Sequence, residues 1–212
     1  MRIFFDVDTQ KDFMDRDGAM YVQGAEEIKP NLLLLTQFAV QEGIFIMGSR
    51  EWHTPIDMEL FDNPKHCLAG SPGSDRIPET TVPRPICVLG TERIEPIPAI
   101  DMGFSKALYF DKRVVDVFTN DNLITMLGCV APNEVVLYGV STESSILRTA
   151  VGFRHRCMEV FLVTDAIAGR TPEDHNKSVL DLREYYGVNT VLTKDIINET
   201  KLERTKSVWG LK

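Results

Sequence analysis

The sequence predicts an α/β fold: one doubly wound domain over residues 1–212, with about six mostly parallel strands and helices on both faces. Continuous apolar runs alternate with helical patterns, which is typical of a parallel sheet that is buried on both sides. No repeat, linker or low-complexity segment divides the 212 residues, and 43% hydrophobic residues are ample for one core. In such sheets ligands lie beyond the carboxyl ends of the strands, so polar residues directly after strands are candidate site residues.

The individual elements follow from apolar runs and from the residues that end them. Candidate strands cover residues 2–8, 44–47, 86–89, 107–110, 134–138, 159–164 and 190–193. Candidate helices cover residues 28–41, 121–127, 146–153 and 172–186, and Gly43 and Gly187 end two of them. Residues 49–106 contain many prolines and one strand-like run, and a loop region of that length is usually functional. The polar tail, residues 198–206, is expected to add an exposed helix.

Composition narrows the classes of partner. A net charge of -8 and a pI of about 5.1 argue against electrostatic binding of nucleic acid or anionic lipid. No apolar run approaches the roughly 20 residues that cross a bilayer, and the acidic start does not resemble a signal peptide. The four cysteines include no short-spaced pair and are expected to be reduced thiols. We therefore expect a cytoplasmic protein with a small-molecule substrate, and no nucleic-acid or membrane partner.

The segment 138–146 is the strongest candidate site, because an apolar strand ends at Gly139 and a helical pattern begins at once. A strand, a tight glycine turn and a helix start present backbone N–H groups and one side chain to a ligand. Ser145 is the side chain that could do chemistry there. A serine near a helix N-terminus is more often a cap for free N–H groups, and neighbouring hydroxyl residues compete for that role. Spacing alone leaves nucleophile and cap open.

Two charged residues follow other strands. Asp8 ends the first strand, and a carboxylate among apolar neighbours would have a raised pKa and could act as a general base; a capping Asp is the alternative. Lys112 follows the strand at 107–110. It is either a solvated surface lysine or, if it faces a pocket beside Asp8, a group that stabilises a carboxylate and a developing oxyanion. His155 and His175 have no recognisable partner, and both are expected to be structural.

A metal site is indicated by Glu51, His53 and His66. In an extended segment Glu51 and His53 point the same way, because side chains repeat every second residue. Two imidazoles and one carboxylate suit Zn²⁺, Fe²⁺ or Mn²⁺ and leave positions for water or substrate. This spacing also arises often by chance, so metal binding and a structural role both stay open. No organic cofactor is expected.

Taken together, these segments resemble the isochorismatase-like cysteine hydrolases, and within them the nicotinamidases. The match covers nearly the whole chain in order. The matching segments are 8–13 (D-T-Q-K-D-F), 49–53 (S-R-E-W-H), 64–73 (P-K-H-C-L-A-G-S-P-G), 112–118, 139–142 (G-V-S-T), and 149–150 with 164–166.

The resemblance implies a role for each matching residue. Asp8 would be the general base. Lys112 would adjust the pKa values of the acid–base pair and stabilise the negative charge. Phe13 would stack on the substrate. The backbone N–H groups of Ser141 and Ser145 would form the oxyanion hole, with a cis peptide before Ser141.

The resemblance also assigns a metal to Glu51, His53 and His66, where it would anchor a substrate's ring nitrogen or a water. Nicotinamidases have Asp at the first of these positions, but Glu coordinates the same metals with a longer arm. Asn63 stands where nicotinamidases place a tryptophan wall of the pocket. Members of the family commonly form dimers or tetramers, so a homo-oligomer is expected.

Ser145 is the serious departure, because it stands where the family has its nucleophilic cysteine. The pKa of a cysteine thiol is about 8.5, so an Asp–Lys pair can ionise it. A serine hydroxyl normally needs a histidine as its base. Ser145 could be a slow nucleophile or could position a water. A second explanation is that the protein cleaves a vinyl ether, which needs no covalent intermediate. A third is that the pocket binds a ligand without catalysis, and a fourth is that the serine was introduced in place of a natural cysteine. The sequence thus predicts a hydrolase of a carboxamide or related C–N bond, with vinyl-ether hydrolysis and silent ligand binding as alternatives.

Overall fold

The computed structural model describes residues 1–91 and 107–199. Its centre is a seven-stranded sheet in the order β3-β4-β2-β1-β5-β6-β7, in which each neighbouring pair is parallel. The strands are β1 (Arg2–Val7), β2 (Ile46–Glu51), β3 (Ile86–Val88), β4 (Ala107–Lys112), β5 (Glu134–Val140), β6 (Glu159–Ala168) and β7 (Asn189–Val191). The predicted α/β fold is confirmed, and the sheet has one strand more than the expected six because two three-residue strands form its edges.

Six α-helices are fully contained in the described residues. They are α1 (Lys11–Met14), α2 (Ala25–Glu42), α3 (Glu59–Asp62), α4 (Asp121–Val130), α5 (Leu147–Arg154) and α6 (Pro172–Tyr186). Residues 193–199 are also helical. The sequence did not predict α1 and α3, because four residues are too few for a helical period to be recognised. Of the expected elements, part of the proline-rich region (92–106) and most of the tail (200–206) lie outside the described residues.

The sheet is buried on both faces by two hydrophobic clusters. Ile3, Phe5 and Val7 face one way and pack with α4, α5 and α6. Phe4 faces the other way and packs with α2 and with the helical residues 193–199. This alternation follows from the two-residue period of a strand. None of the helices in the described part of the chain is long and apolar enough to cross a bilayer, and all four cysteines are unpaired.

The central strands bring their carboxyl ends together. Val7 at the end of β1 pairs with Ser49 in β2 and with Gly139 in β5. Glu51 at the end of β2 pairs with Lys112 at the end of β4. Residues far apart in sequence therefore meet at one edge of the sheet, where parallel sheets place their ligands.

The turn after β5 depends on a glycine. The strand continues to Val140, two residues beyond the predicted strand at 134–138. Gly139 has φ +118, and a Cβ there would lie 2.1 Å from the carbonyl oxygen of Val7, so only glycine fits beside β1. The Val140–Ser141 peptide is cis, as the resemblance implied. A π-helical turn, Thr142–Ile146, then leads into α5, whereas a regular helix was expected from residue 146.

Candidate active site and metal centre

Lys112 is the centre of a buried cluster at the carboxyl edge of the sheet. Its Nζ atom lies 2.9 Å from Oδ2 of Asp8 and 2.8 Å from Oε1 of Glu51. Nζ also donates to Oγ of Ser145 at 3.3 Å. The contacts with Glu51 and Ser145 are hydrogen bonds, and the contact with Asp8 is an ion pair. The side chain of Lys112 is 0% exposed, which excludes the solvated-lysine alternative. Its neighbour Asp111 points elsewhere and pairs with Arg50.

Asp8 lies directly after β1 in the left-handed backbone region, with φ 49. Its N–H group donates to the carbonyl of Ser49 at 3.2 Å, and the Ser49 hydroxyl donates to Oδ1 of Asp8 at 2.7 Å. Burial raises the pKa of Asp8, although Lys112 and the Ser49 hydroxyl oppose the rise. A carboxylate with a raised pKa is a better proton acceptor than an ordinary Asp, which suits a general base.

Glu51 joins the lysine cluster to two histidines. Its Oε1 faces Lys112, while Oε2 lies 3.1 Å from Nε2 of His53 and 2.8 Å from Nε2 of His66. Burial alone would raise the pKa of Glu51, but Lys112 and the two imidazoles hold it well below its ordinary value. Glu51 therefore stays ionised while Asp8, with fewer donors, has a raised pKa. Gln10 fixes the backbone of Glu51 through two hydrogen bonds of 2.7 Å.

Glu51, His53 and His66 form a set of ligand atoms that all lie within 4.8 Å of one another, and all three residues are buried. Each imidazole also has an outer partner. Nδ1 of His53 lies 3.3 Å from Oδ2 of Asp57, and Nδ1 of His66 lies 2.7 Å from the carbonyl of Pro64. Such partners fix the tautomer that leaves Nε2 free for a metal. The donor set therefore fits a divalent cation such as Zn²⁺.

The pKa of His66 is raised in this arrangement. Burial would lower it, but the hydrogen bonds to Glu51 and to the Pro64 carbonyl raise it. A protonated imidazole cannot bind a metal, so metal binding at this site competes with protons.

Ser145 lies inside the π-helical turn, and the N-cap of that turn is Ser141. The carbonyl of Ser141 accepts the N–H groups of Ser144 at 3.2 Å and of Ile146 at 3.1 Å. The capping alternative for Ser145 is therefore excluded, since its hydroxyl accepts from Lys112 instead.

A small cavity of about 20 Å³, room for roughly one water, lies above this cluster. Six of the predicted site residues line it: Asp8, Phe13, Glu51, His66, Ser141 and Ser145. The other two, Lys112 and His53, contact lining residues directly. The ring of Phe13 meets the ring of His66 edge-on, at 5.5 Å between centroids. The structure thus brings all eight predicted residues into one site.

Two charged residues of the cavity wall were not predicted. Glu59 comes from α3, and burial together with the charge of Glu51 raises its pKa. Arg170 comes from the loop after β6, with its Nε 3.8 Å from Oε1 of Glu143. Neither residue follows a strand directly or belongs to a matching segment, so the sequence held no signal for them. The Asn63 amide, at the expected wall position, donates to the Glu59 carbonyl at 3.0 Å.

His175 has a partner, so the expectation that it has none is wrong. Its Nδ1 lies 2.9 Å from the hydroxyl of Thr142, the first residue of the π-helical turn. Burial lowers the pKa of His175. This contact joins α6 to the turn that carries Ser145, and only the tertiary structure could reveal it.

Comparison with known proteins identifies the family of this chain. Residues 3–195 match the isochorismatase domain. The chain belongs to the isochorismatase family. A curated Arabidopsis thaliana protein described as a probable inactive nicotinamidase is 26% identical over 189 residues, which cover 87% of this chain and 88% of that protein. The predicted family is therefore confirmed.

Solved structures share the fold. The pyrazinamidase/nicotinamidase of Streptococcus mutans has a TM-score of 0.74 and 21% identity, covering 90% of this chain and 100% of that chain. The pyrazinamidase of Pyrococcus horikoshii, solved in complex with zinc, has a TM-score of 0.73 and 23% identity, covering 90% of this chain and 98% of that chain. These nicotinamidase-like neighbours agree with the resemblance read from the sequence.

Proposed function

We propose that this isochorismatase-family protein is a small-molecule hydrolase that acts on a carboxamide or a related C–N bond. The observation that carries the proposal is that Asp8 and Ser145 both contact the Nζ atom of Lys112 in one buried cluster. This cluster combines a carboxylate of raised pKa, a fixed positive charge and a hydroxyl at the edge of one cavity. These groups can supply a general base, a fixed positive charge and an attacking oxygen for acyl transfer from nitrogen to oxygen.

The first step is an attack on the carbonyl carbon of the substrate. The attacking oxygen belongs to Ser145, or to a water beside it, and its proton passes to the carboxylate of Asp8. The carbonyl becomes a tetrahedral oxyanion, which the backbone N–H groups of Ser141 and Ser145 stabilise. Lys112 keeps its proton throughout and offsets the negative charge of the cluster, since its carboxylate neighbours raise its pKa although burial opposes this.

The second step breaks the C–N bond. Asp8 returns its proton to the leaving nitrogen, which departs as ammonia or an amine. If Ser145 attacked, a water hydrolyses its acyl ester: the proton of the water passes to Asp8, and Asp8 then returns a proton to Oγ of Ser145 as the ester bond breaks. The balance is the same on both routes: one amide and one water give one carboxylic acid and one amine.

A divalent metal belongs to the proposed site. Glu51, His53 and His66 would hold it, and Zn²⁺, Fe²⁺ and Mn²⁺ all accept these ligands. When bound, such an ion anchors or polarises a substrate atom or a water. The zinc in the Pyrococcus horikoshii protein supports this part of the proposal.

The proposal extends to the substrate and to assembly. A cavity of about 20 Å³ means that a substrate larger than a water must displace part of the wall. We also propose a cytoplasmic homo-oligomer, a dimer or tetramer, without nucleic-acid or membrane partners. Exposed apolar side chains at Ile56, Met58 and Phe61 support self-association.

A second candidate is a ligand-binding protein of the same family without catalysis. Two observations favour it. The Ser145 hydroxyl accepts from Lys112, and within residues 1–91 and 107–199 no histidine hydrogen-bonds to it. The Arabidopsis thaliana relative is described as a probable inactive nicotinamidase.

Ammonia release from a panel of carboxamides separates these candidates. The wild type, with metal content measured, is compared with Asp8→Asn, Ser145→Ala and Ser145→Cys. We expect activity in the wild type and at least about a hundredfold loss in Asp8→Asn. Loss in Ser145→Ala identifies a serine nucleophile, and equal activity there identifies a water. If the wild type is inactive and Ser145→Cys gains activity, the second candidate, a ligand-binding protein without catalysis, is supported. The lack of a stoichiometric metal ion in the purified protein would overturn the metal assignment.

A further inference from the structure

A second buried cluster of charged groups lies beside the site, where Arg76 reaches the end of β1 from the region between β2 and β3. Its Nη2 atom donates to Oδ2 of Asp6 and, at 2.5 Å, to Oγ1 of Thr9. Its Nη1 atom donates to the backbone carbonyl of Ser49 at 3.3 Å. The guanidinium also lies over the ring of Tyr109, 3.9 Å from the ring centroid. One side chain therefore joins the end of β1 to β2.

The three acceptors of Arg76 surround Asp8. Asp6 precedes it by two residues, Thr9 follows it directly, and the Ser49 carbonyl accepts its N–H group at 3.2 Å. Asp8 has φ 49, a left-handed conformation that residues other than glycine seldom adopt. Such a conformation persists where the surrounding contacts determine it. Arg76 holds the chain on both sides of Asp8 and also the carbonyl to which Asp8 donates.

Backbone hydrogen bonds hold the segment that carries Arg76. The N–H group of Ile77 donates to the carbonyl of Thr9 at 3.1 Å, and the N–H group of Lys11 donates to the carbonyl of Asp75 at 2.8 Å. The residues on each side of Arg76 are therefore tied to the residues directly after β1. Arg76 is thus anchored to the same short segment that its side chain contacts.

Stability alone does not account for the pair of Asp6 and Arg76. Asp6 is 1% exposed, and the side chain of Arg76 is 10% exposed. Burial raises the pKa of Asp6 even with Arg76 beside it, so an ionised carboxylate is costly at this position. The second carboxylate oxygen, Oδ1, has no hydrogen-bond partner within residues 1–91 and 107–199. Two apolar side chains often stabilise a core as well as a buried ion pair does, so the pair is expected to serve another purpose.

We propose that Arg76 is a positioning residue for the general base: by holding Asp6, Thr9 and the Ser49 carbonyl together, it fixes the left-handed backbone of Asp8 and so directs the Asp8 carboxylate towards Lys112. The inference rests on the proposed role of Asp8 as the base. The contact that it maintains is the 2.9 Å approach of Oδ2 of Asp8 to Nζ of Lys112.

Arg50 provides a matched control. Its guanidinium lies 4.0 Å from the centroid of the Trp52 ring and pairs with Asp111, and the two charged side chains are 15% and 5% exposed. Within the described residues its side-chain hydrogen bonds go to Asp111, which points away from the site. Arg50→Met therefore removes an arginine from an aspartate and an aromatic ring, as Arg76→Met does, without removing a contact around Asp8.

The test compares wild type, Arg76→Met, Arg50→Met and the double variant Asp6→Leu with Arg76→Met. The double variant leaves no buried carboxylate without its partner, so it decides if the single variant fails to fold. Hydrogen–deuterium exchange is followed by mass spectrometry in the peptide that contains Asp8 and Gln10, whose N–H group donates to the Asp8 carbonyl at 2.8 Å. A peptide from β5, residues 134–140, reports global opening. The values of kcat and KM for ammonia release are measured in the same proteins.

We expect exchange in the Asp8 peptide to become at least about tenfold faster relative to the β5 peptide in both Arg76 variants, because hydrogen bonds from a charged donor are lost. Arg50→Met should leave this ratio unchanged. No relative change in the Arg76 variants overturns the proposal, as does an equal change in Arg50→Met.

The kinetic measurement separates a misplaced base from a damaged pocket. In a wild type that hydrolyses a carboxamide, the Arg76 variants should lose at least about tenfold in kcat while KM changes less than about twofold. An unchanged kcat in these variants would also overturn the proposal. If the wild type releases no ammonia, the proposed function fails, and the exchange ratio alone decides whether Arg76 holds the backbone of Asp8.

Discussion

Replacing Lys112 with methionine should destabilise the protein far more than the loss of an ordinary lysine. The substitution keeps most of the side-chain volume and removes the charge that Asp8 and Glu51 share. Both carboxylates are buried, and breaking a buried ion pair by removing one partner costs about 3–5 kcal/mol. For a chain of this length that corresponds to a fall of roughly 6–20 °C in Tm. Urea unfolding followed by circular dichroism at pH 7.5 measures the change.

Lys29→Met is the matched control. Lys29 also contacts two carboxylates, Asp15 at 2.7 Å and Glu26 at 3.2 Å, but these are about a third exposed. Such pairs contribute about 0–1 kcal/mol. If both variants lose the same free energy of unfolding, the reasoning about buried charge is refuted.

The loss of stability in Lys112→Met should depend on pH in a definite direction. The pKa of Glu51 is lowered in the folded protein, so its contribution to stability is present at neutral pH and is lost as the pH falls through that value. In the variant this contribution is absent. The difference in stability between wild type and Lys112→Met should therefore shrink towards acid pH, and a difference that grows there would contradict the account.

Two further predictions concern the acid–base group and the metal. Ser49→Ala removes a donor to the ionised form of Asp8, so the pKa of Asp8 rises further and the acid limb of kcat/KM moves to higher pH. Ser74→Ala, whose hydroxyl donates to the Ser71 carbonyl, should leave that limb in place. His66→Ala should weaken metal binding at least about tenfold by calorimetry. In the wild type, affinity should fall from pH 8 to pH 6 as protons compete for His66, and a pH-independent affinity would contradict its assignment.

Much of the fold could be predicted because the apolar runs and the residues that end them lie in the sequence. Helix α6 has the predicted bounds, with Pro172 at its start and Gly187 after its end. The strands were predicted too short at the site. Strands β2 and β4 continue through Glu51 and Lys112, because backbone hydrogen bonds between strands do not require apolar side chains.

The site residues that follow strands could also be predicted, because parallel strands end at one edge. Ser49 lies in a matching segment, yet its hydrogen bond to Asp8 depends on the register of β1 and β2. Glu59 and Arg170 line the cavity from a short helix and a loop, and His175, near the start of α6, contacts Thr142 in the turn that carries Ser145. Their positions depend on tertiary packing, and no local pattern encodes it.

Ammonia release by the metal-containing wild type and by Asp8→Asn tests the central claim most directly, since Asp8 is the proposed base on both the serine and the water route. The account predicts that the wild type hydrolyses at least one carboxamide of the panel and that Asp8→Asn loses at least about a hundredfold in rate. Equal rates in the two proteins, or no release by the wild type from any amide, would contradict it.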